Sequence, residues 1–401
     1  MATRVLPCVL LATVAQALVI GAAVAFEATA VHRSPSALIS SDVERYYAGT
    51  QAFPGRLDLR ALVEYPLFAL PIFLLPRLLT SDLTSYALIF AAEMLLANGV
   101  ALLLIGGWMG ARRNLPSVPS RVAWYTLSTM LLFPLVVSRF DLVPTTVAFA
   151  AALAWFAGRP VIGGAGAGLG TLIKLFPACV AAVGFLYEAR DPRTRRLRGT
   201  VAFVLTMALG AGVSWAFGAS GFMAFQAARG LQIESVPAGV LMAAAQFTGA
   251  PLTWVHLHNA YELQTRGAGL AAALTVPMQA AALLIVLWRF WRSDQTHPFR
   301  SIAAAMFALL ITAKVLSPQF LIWPIPFLAV LEGPPGGRAR WLFLPCCLAT
   351  TLIFPFFYFS DLLTFAPWAI ALLNVRNALL IALFAVLTFG AGTSGRRAGA
   401  M

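Results

Sequence analysis

The residues able to do chemistry sit at one recurring depth: Asp42, the pair Arg139 and Asp141, Lys174, Arg229 with Glu234, the set His256, His258 and Glu262, and Lys314. Each falls at the same end of a different apolar run. The densest group is the polar island 40–66, which holds Asp42, Glu44, Arg45, Tyr46, Tyr47, Arg56, Asp58, Arg60 and Glu64. Acids that can take a proton, cations that can hold an anion, and aromatic rings together suit work on a substrate carried by the lipid. A charge inside hydrocarbon costs roughly 2.5–3.5 kcal/mol on insertion scales and is usually functional. Because these groups come from the outer ends of different helices, they predict one cavity on one face rather than a conducting path.

Such side chains need a scaffold, and composition says which kind. The chain has 401 residues, 60% hydrophobic and 11% charged, with mean hydropathy +0.83. Soluble domains run near a quarter charged, so a single soluble core is excluded. A spanning helix needs about 20 mainly apolar residues, and such runs follow one another almost end to end. Without water their backbones must be helical, and the alternating segments of a β-barrel are absent. The reading is an all-α polytopic membrane protein of about 12 spans, with residues 1–401 as one integral membrane domain.

The expected spans are 6–26, 83–108, 122–137, 142–157, two short helices within 161–187 meeting near Lys174, 201–217, 268–288, two within 301–331, 341–359 and 368–389. Residues 27–82 make a first extracytoplasmic loop and 222–267 a second. Within the first, 65–79 carries Pro66, Pro71 and Pro76, each lacking a backbone donor, so a helix at the outer interface is expected, with a kinked span as the alternative. The first run is longer than a signal core and lacks a convincing cleavage site, so it reads as an anchor. The spanning interiors read as charge-free apart from Glu93.

A net charge of +13 would suggest nucleic acid in a soluble protein. Here the arginines sit between apolar runs and set orientation by the positive-inside rule, with both ends inside. No nucleic-acid partner is expected. Cys8, Cys179, Cys346 and Cys347 have no CxxC spacing, so neither a disulfide framework nor a metal site is indicated, and no cofactor is predicted. The glycine-rich stretch 163–170 follows no strand and reads as helix packing through small residues, not as a phosphate loop.

Five stretches, in order, resemble glycosyltransferase family 87, which comprises GT-C-type membrane enzymes that use polyprenyl-phosphate sugars. They are Ser41-Asp42-Val43-Glu44-Arg45-Tyr46-Tyr47 with Val63-Glu64-Tyr65-Pro66; Arg139-Phe140-Asp141-Leu142-Val143-Pro144; Gly168 through Pro177; Arg229-Gly230-Leu231-Gln232-Ile233-Glu234-Ser235; and Leu316-Ser317-Pro318-Gln319-Phe320-Leu321-Ile322-Trp323. One departure is Tyr65-Pro66-Leu67, where many members carry a second proline.

The resemblance implies a GT-C-like fold and an inverting transfer from a polyprenyl-phosphate sugar to an acceptor hydroxyl. The family's catalytic aspartate maps to Asp42, a general base. The anionic leaving phosphate needs fixed positive charge, for which Lys174, Arg229, Lys314 and Arg139 are the candidates. Tyr46, Tyr47, Glu64, Asp141, Gln232, Glu234, His256, His258 and Gln319 are candidates for holding sugar or acceptor. The implied partners are a polyprenyl-phosphate sugar donor (mannose or arabinofuranose), a cell-envelope glycolipid or polysaccharide acceptor, and membrane lipids. The implied location is the bacterial inner membrane, with the site on its extracytoplasmic face.

Plainer readings stand beside these. Asp42 could cap a helix, leaving Asp58 or Glu64 as the base. Arg139 and Asp141 could pair with each other. Lys174 could snorkel to headgroups. His256 and His258 alternate with apolar residues, as on an interfacial face, and Tyr46, Tyr47 and Trp254 could belong to an aromatic belt. A secondary transporter or lipid flippase is the rival function; it calls for midplane charges, broken helices and an internal repeat, and no repeat is visible.

Overall fold

Apolar runs of about 20 residues must satisfy their own backbone groups in hydrocarbon, and here they do so as helices. The computed structural model describes residues 6–18, 21, 40–51, 62–112, 115–190, 197–219, 221–293 and 297–390. Leu6–Leu18 (α1) is followed by Ser40–Thr50 (α2), Leu70–Leu79 (α3) and the long Leu83–Ala111 (α4). Val118–Leu131 (α5), Phe133–Ser138 (α6), Leu142–Phe156 (α7), Pro160–Ile173 (α8), Ala178–Arg190 (α9) and Arg198–Ala216 (α10) come next. Gly221–Ala228 (α11) and Val236–Thr248 (α12) precede the strands Thr253–Leu257 (β1) and Ala260–Gln264 (β2). Ala268–Arg292 (α13), Pro298–Thr312 (α14), Ile325–Ala329 (α15), Gly333–Thr351 (α16) and Pro367–Phe389 (α17) complete the order. A wide, π-type stretch, Leu352–Leu362, joins α16 to α17.

Five of these units, α4, α10, α13, Gly333–Leu362 and α17, are long and apolar enough to cross a membrane. The chain is a multi-pass membrane protein. Helices α10 and α13 leave Leu209, Trp215, Leu270, Val276 and Leu284 exposed, an apolar surface that suits lipid rather than water. The centre is built from α7 and α14, where Phe149, Ile302, Met306 and Phe307 are fully buried. Gln16 donates to Thr129 and accepts from Asn98, each at 2.6 Å. This buried relay fastens α1 to α4 and α5 where apolar contacts alone would set no register.

The glycine-rich stretch packs helices. A Cβ on Gly164 in α8 would overlap the carbonyl of Gly199 in α10, and one on Gly163 would meet the Trp155 backbone in α7. Only a residue without a side chain lets α8 lie against both neighbours, and α8 has its fullest contacts with those two helices.

Helices lie over the expected runs wherever these fall in the described residues, and α8 and α9 do meet beside Lys174. The 301–331 segment differs: α14 ends at Thr312, and only a short turn at Pro318–Ile322 and the five-residue α15 follow, since Pro318, Pro324 and Pro326 interrupt the backbone pairing. The 222–267 region is not a plain polar loop. It contains α11, α12 and an antiparallel hairpin, β1–β2, so the described chain is not wholly helical. His258 and Asn259 turn this hairpin, both with positive φ (49° and 56°), as a two-residue turn between right-twisted strands requires. Nor are the spanning interiors free of charge apart from Glu93: Arg376, in the middle of α17, is fully buried.

Candidate functional site

A cavity of about 420 Å³ opens where the connectors of several helices meet. Asp42 comes from the first turn of α2, where the helix dipole favours an acid. Glu64 comes from the segment before α3, Arg139 from the α6–α7 connector and Lys174 from the α8–α9 connector. Arg229, Gln232 and Glu234 come from the α11–α12 loop, His256 from β1, and Gln319 from the turn after α14. Tyr46 also lines the cavity. It is buried and stacks on Phe73 of α3, with centroids 4.2 Å apart and planes at 9°, which locks α2 and hence Asp42 in place.

Charges alternate around the first loop. Arg45 reaches Glu64 at 2.7 Å and Asp42 at 3.3 Å, and the second carboxylate oxygen of Asp42 pairs with Arg139. Asp42 is therefore gripped by two guanidiniums, from its own helix and from a connector almost 100 positions away in sequence. Arg139 does not pair with Asp141. Asp141 is buried, and its Oδ1 accepts from Lys174 Nζ and from Trp323 Nε1, each at 2.7 Å. The Lys174 ammonium also lies 4.5 Å from the Phe140 ring and 5.2 Å from the Phe320 ring. It is held inward, not extended to headgroups. Burial pushes its pKa down, and Asp141 pulls it back up.

The α11–α12 loop is pinned from two sides. Ile233 N donates to Tyr261 O at 3.0 Å and Leu263 N to Leu231 O at 2.8 Å, so the loop adds a short edge to the hairpin. From beneath, Arg376 Nη2 donates to Glu234 O at 2.6 Å. Ser235 then caps α12 by accepting from Ala238 N. Burial pushes the Glu234 carboxyl up to about 7, against the pull of Arg376 and Arg139. Gln232 Oε1, Glu234 Oε1 and Gln319 Oε1 are buried atoms that accept no hydrogen bond among the described residues. All three residues line the cavity. A buried acceptor without a donor is rare enough to call for a ligand or water.

Some expected residues lie elsewhere. Lys314 is not in the lining; its ammonium donates to the Ala227 carbonyl at 2.8 Å, which fixes the loop. Tyr47 donates to the Ser81 carbonyl. Asp141 stands behind Lys174, and His258, in the hairpin turn, contacts Glu262 at 3.1 Å. Asp58 lies outside the described residues. Sequence reasoning passed over Trp323, Tyr261, Tyr358 and Arg376 as site residues. For Arg376 the signal was present: an arginine midway along an apolar run of spanning length.

An apolar multi-pass helical scaffold with a charged, aromatic-lined cavity among its connectors defines a membrane protein with a polar site among its helix ends. The sequence model of Glycosyltransferase family 87 matches residues 63–318, and the chain belongs to that family. No curated protein matches the chain. Among solved structures, the apo crystal structure of ArnT from Cupriavidus metallidurans is similar at 16% identity with a TM-score of 0.43, covering 88% of this chain and 73% of that one.

Proposed function

We propose that this glycosyltransferase moves a sugar, mannose or arabinofuranose, from a polyprenyl-phosphate donor to a hydroxyl of a cell-envelope glycolipid or polysaccharide, with inversion. The chain acts as one integral membrane domain in the bacterial inner membrane, with its cavity on the extracytoplasmic side. The observation that carries the reading is the seating of Asp42, clamped by Arg45 and Arg139, in a cavity that Lys174 and Arg229 also line.

In the reaction the acceptor oxygen attacks the anomeric carbon from the face opposite the phosphate. Its proton passes to the Asp42 carboxylate as the new C–O bond forms. The bond to phosphate breaks with its electron pair, and the lipid phosphate leaves with an added negative charge. Lys174 and Arg229, with the unpartnered Nε of Arg139, supply positive charge where that charge develops. Asp141 keeps the Lys174 ammonium in position. Gln319 and Glu64 are placed to meet sugar hydroxyls.

The test is to incubate purified protein with synthetic polyprenyl-phosphate mannose and polyprenyl-phosphate arabinofuranose, with envelope lipids as acceptors. Release of polyprenyl phosphate together with a glycosylated product is expected from one donor. Turnover of a nucleotide sugar and of neither lipid donor would reject the reading.

A further inference from the structure

The cavity has two unlike walls. One carries Lys174 among Phe140, Phe320 and Trp323. The other is a succession of rings. The Arg139 guanidinium lies 5.9 Å from the Phe354 ring, Phe354 lies 5.5 Å from Tyr358, Tyr358 lies 5.8 Å from Tyr261, and Tyr261 lies 4.8 Å from His256. All four rings line the cavity. Tyr358 is buried, while His256 and its neighbour Asn259 are exposed. The series therefore leads from Arg139, the partner of Asp42, outward to the hairpin. The wide helical stretch after α16 makes the inner half possible, because Phe354 leaves the helical conformation (φ −118°, ψ 120°).

Two occupants suit an aromatic wall: a hydrocarbon chain or the C–H face of a sugar. The polar atoms along it separate them. Gln232 and Glu234 are nine-tenths or more buried, line the same cavity, and each leaves a side-chain oxygen without a donor among the described residues. A prenyl chain has no donors to offer, and seating it would leave these acceptors unsatisfied. A sugar offers an apolar face to the rings and hydroxyl donors at its rim. The nearest guanidinium, Arg139, is paired with Asp42, and Glu234 adds a carboxyl to this wall, so its charge balance favours a neutral ligand over an anionic one.

We propose that the wall from Phe354 through Tyr358 and Tyr261 to His256, with Gln232 and Glu234 beside it, is the acceptor subsite and holds a neutral glycan chain. The terminal hydroxyl sits at Asp42 and the rest of the chain runs out along the hairpin. This assignment rests on the glycosyl-transfer reading and adds the class of acceptor and its direction.

The test measures binding without turnover, by saturation-transfer NMR and calorimetry on the full-length protein in detergent. The probes are methyl glycosides of mannose and arabinofuranose, their disaccharides, and farnesyl phosphate. At least one neutral disaccharide is expected to bind. Tyr261→Ala should weaken it about tenfold, the effect of losing one stacked ring. His256→Ala, at an exposed position that does not endanger folding, should weaken it by a smaller factor, and Tyr261→Phe should retain it. Farnesyl phosphate affinity should be unchanged in all three, which also reports correct folding. Absence of glycoside binding to the parent protein would overturn the assignment. So would variants that lose farnesyl phosphate and keep the glycoside, since the prenyl chain would then occupy the wall. Should Tyr261→Ala lose both probes, His256→Ala decides. An enzyme that transfers sugar yet binds no free glycoside refutes this assignment alone; glycoside binding without transfer refutes only the proposed reaction.

Discussion

Lys174 and Asp141 form a buried ion pair at 2.7 Å, and the carboxylate oxygen they share also accepts from Trp323 Nε1. The pair joins the α8–α9 connector to the start of α7 and to the turn after α14. Cation and anion have unequal work: Lys174 lines the cavity and Asp141 does not.

Lys174→Met should therefore destabilise the protein by roughly 3–5 kcal/mol, because it strands a buried carboxylate. Combining it with Asp141→Asn, which keeps an acceptor for Trp323, should restore most of that stability. Transfer should stay lost in both. Thermal unfolding in detergent, run beside the transfer assay, separates the two roles; a double variant that regains activity would show that the lysine serves packing alone.

Glu234 gives a pH signature. Burial raises its carboxyl from the ordinary 4.5 to about 7, so the folded state disfavours the charged form. The protein should be most stable, as far as this residue is concerned, below about pH 4.5. Stability should decline as pH rises and level off above about 7, with a total on the order of 3 kcal/mol. Glu234→Gln removes the slope, so the variant should match the parent at pH 5 and exceed it at pH 8. Unfolding temperatures of the two proteins across that range check it, and parallel curves would refute it.

Gly164 tests the packing of α8. Gly164→Ala pushes a methyl group into the Gly199 carbonyl, which as backbone cannot step aside. A loss of about 1–3 kcal/mol is expected, typical of overpacking. Gly212→Ala in α10, where a methyl would meet open space, should be near neutral. Equal unfolding temperatures for the two variants would argue against the close contact.

Much of this was legible in the sequence. Apolar runs fix where α4, α10, α13 and α17 lie, because hydrocarbon leaves the backbone no alternative. Asp42, Arg139, Lys174, Arg229, Gln232, Glu234, His256 and Gln319 stand at comparable ends of successive runs, and they do line one cavity. Pairing was not legible. Arg139 and Asp141 are two residues apart, and mutual pairing was one reading of them, yet they pair with different neighbours, Asp42 and Lys174. Lys314 has the right depth but is drawn off by the Ala227 carbonyl. The hairpin escaped notice because its turn is His258-Asn259, without the glycine that usually marks a two-residue turn. Strand-forming Thr253, Trp254 and Val255 were the available signal.

The central claim is that Asp42 takes the proton of the attacking hydroxyl, and Asp42→Asn tests it most directly. The substitution keeps size, but its one amide oxygen can accept from Arg45 or Arg139 and not from both, as the two carboxylate oxygens of Asp42 do, so a lower unfolding temperature is expected and is measured beside the rate. The measurement is the rate of sugar transfer from the polyprenyl-phosphate donor that the parent uses. A fall of about 10²–10⁴-fold, with donor binding retained, is the expected result; transfer at the parent rate would contradict the account.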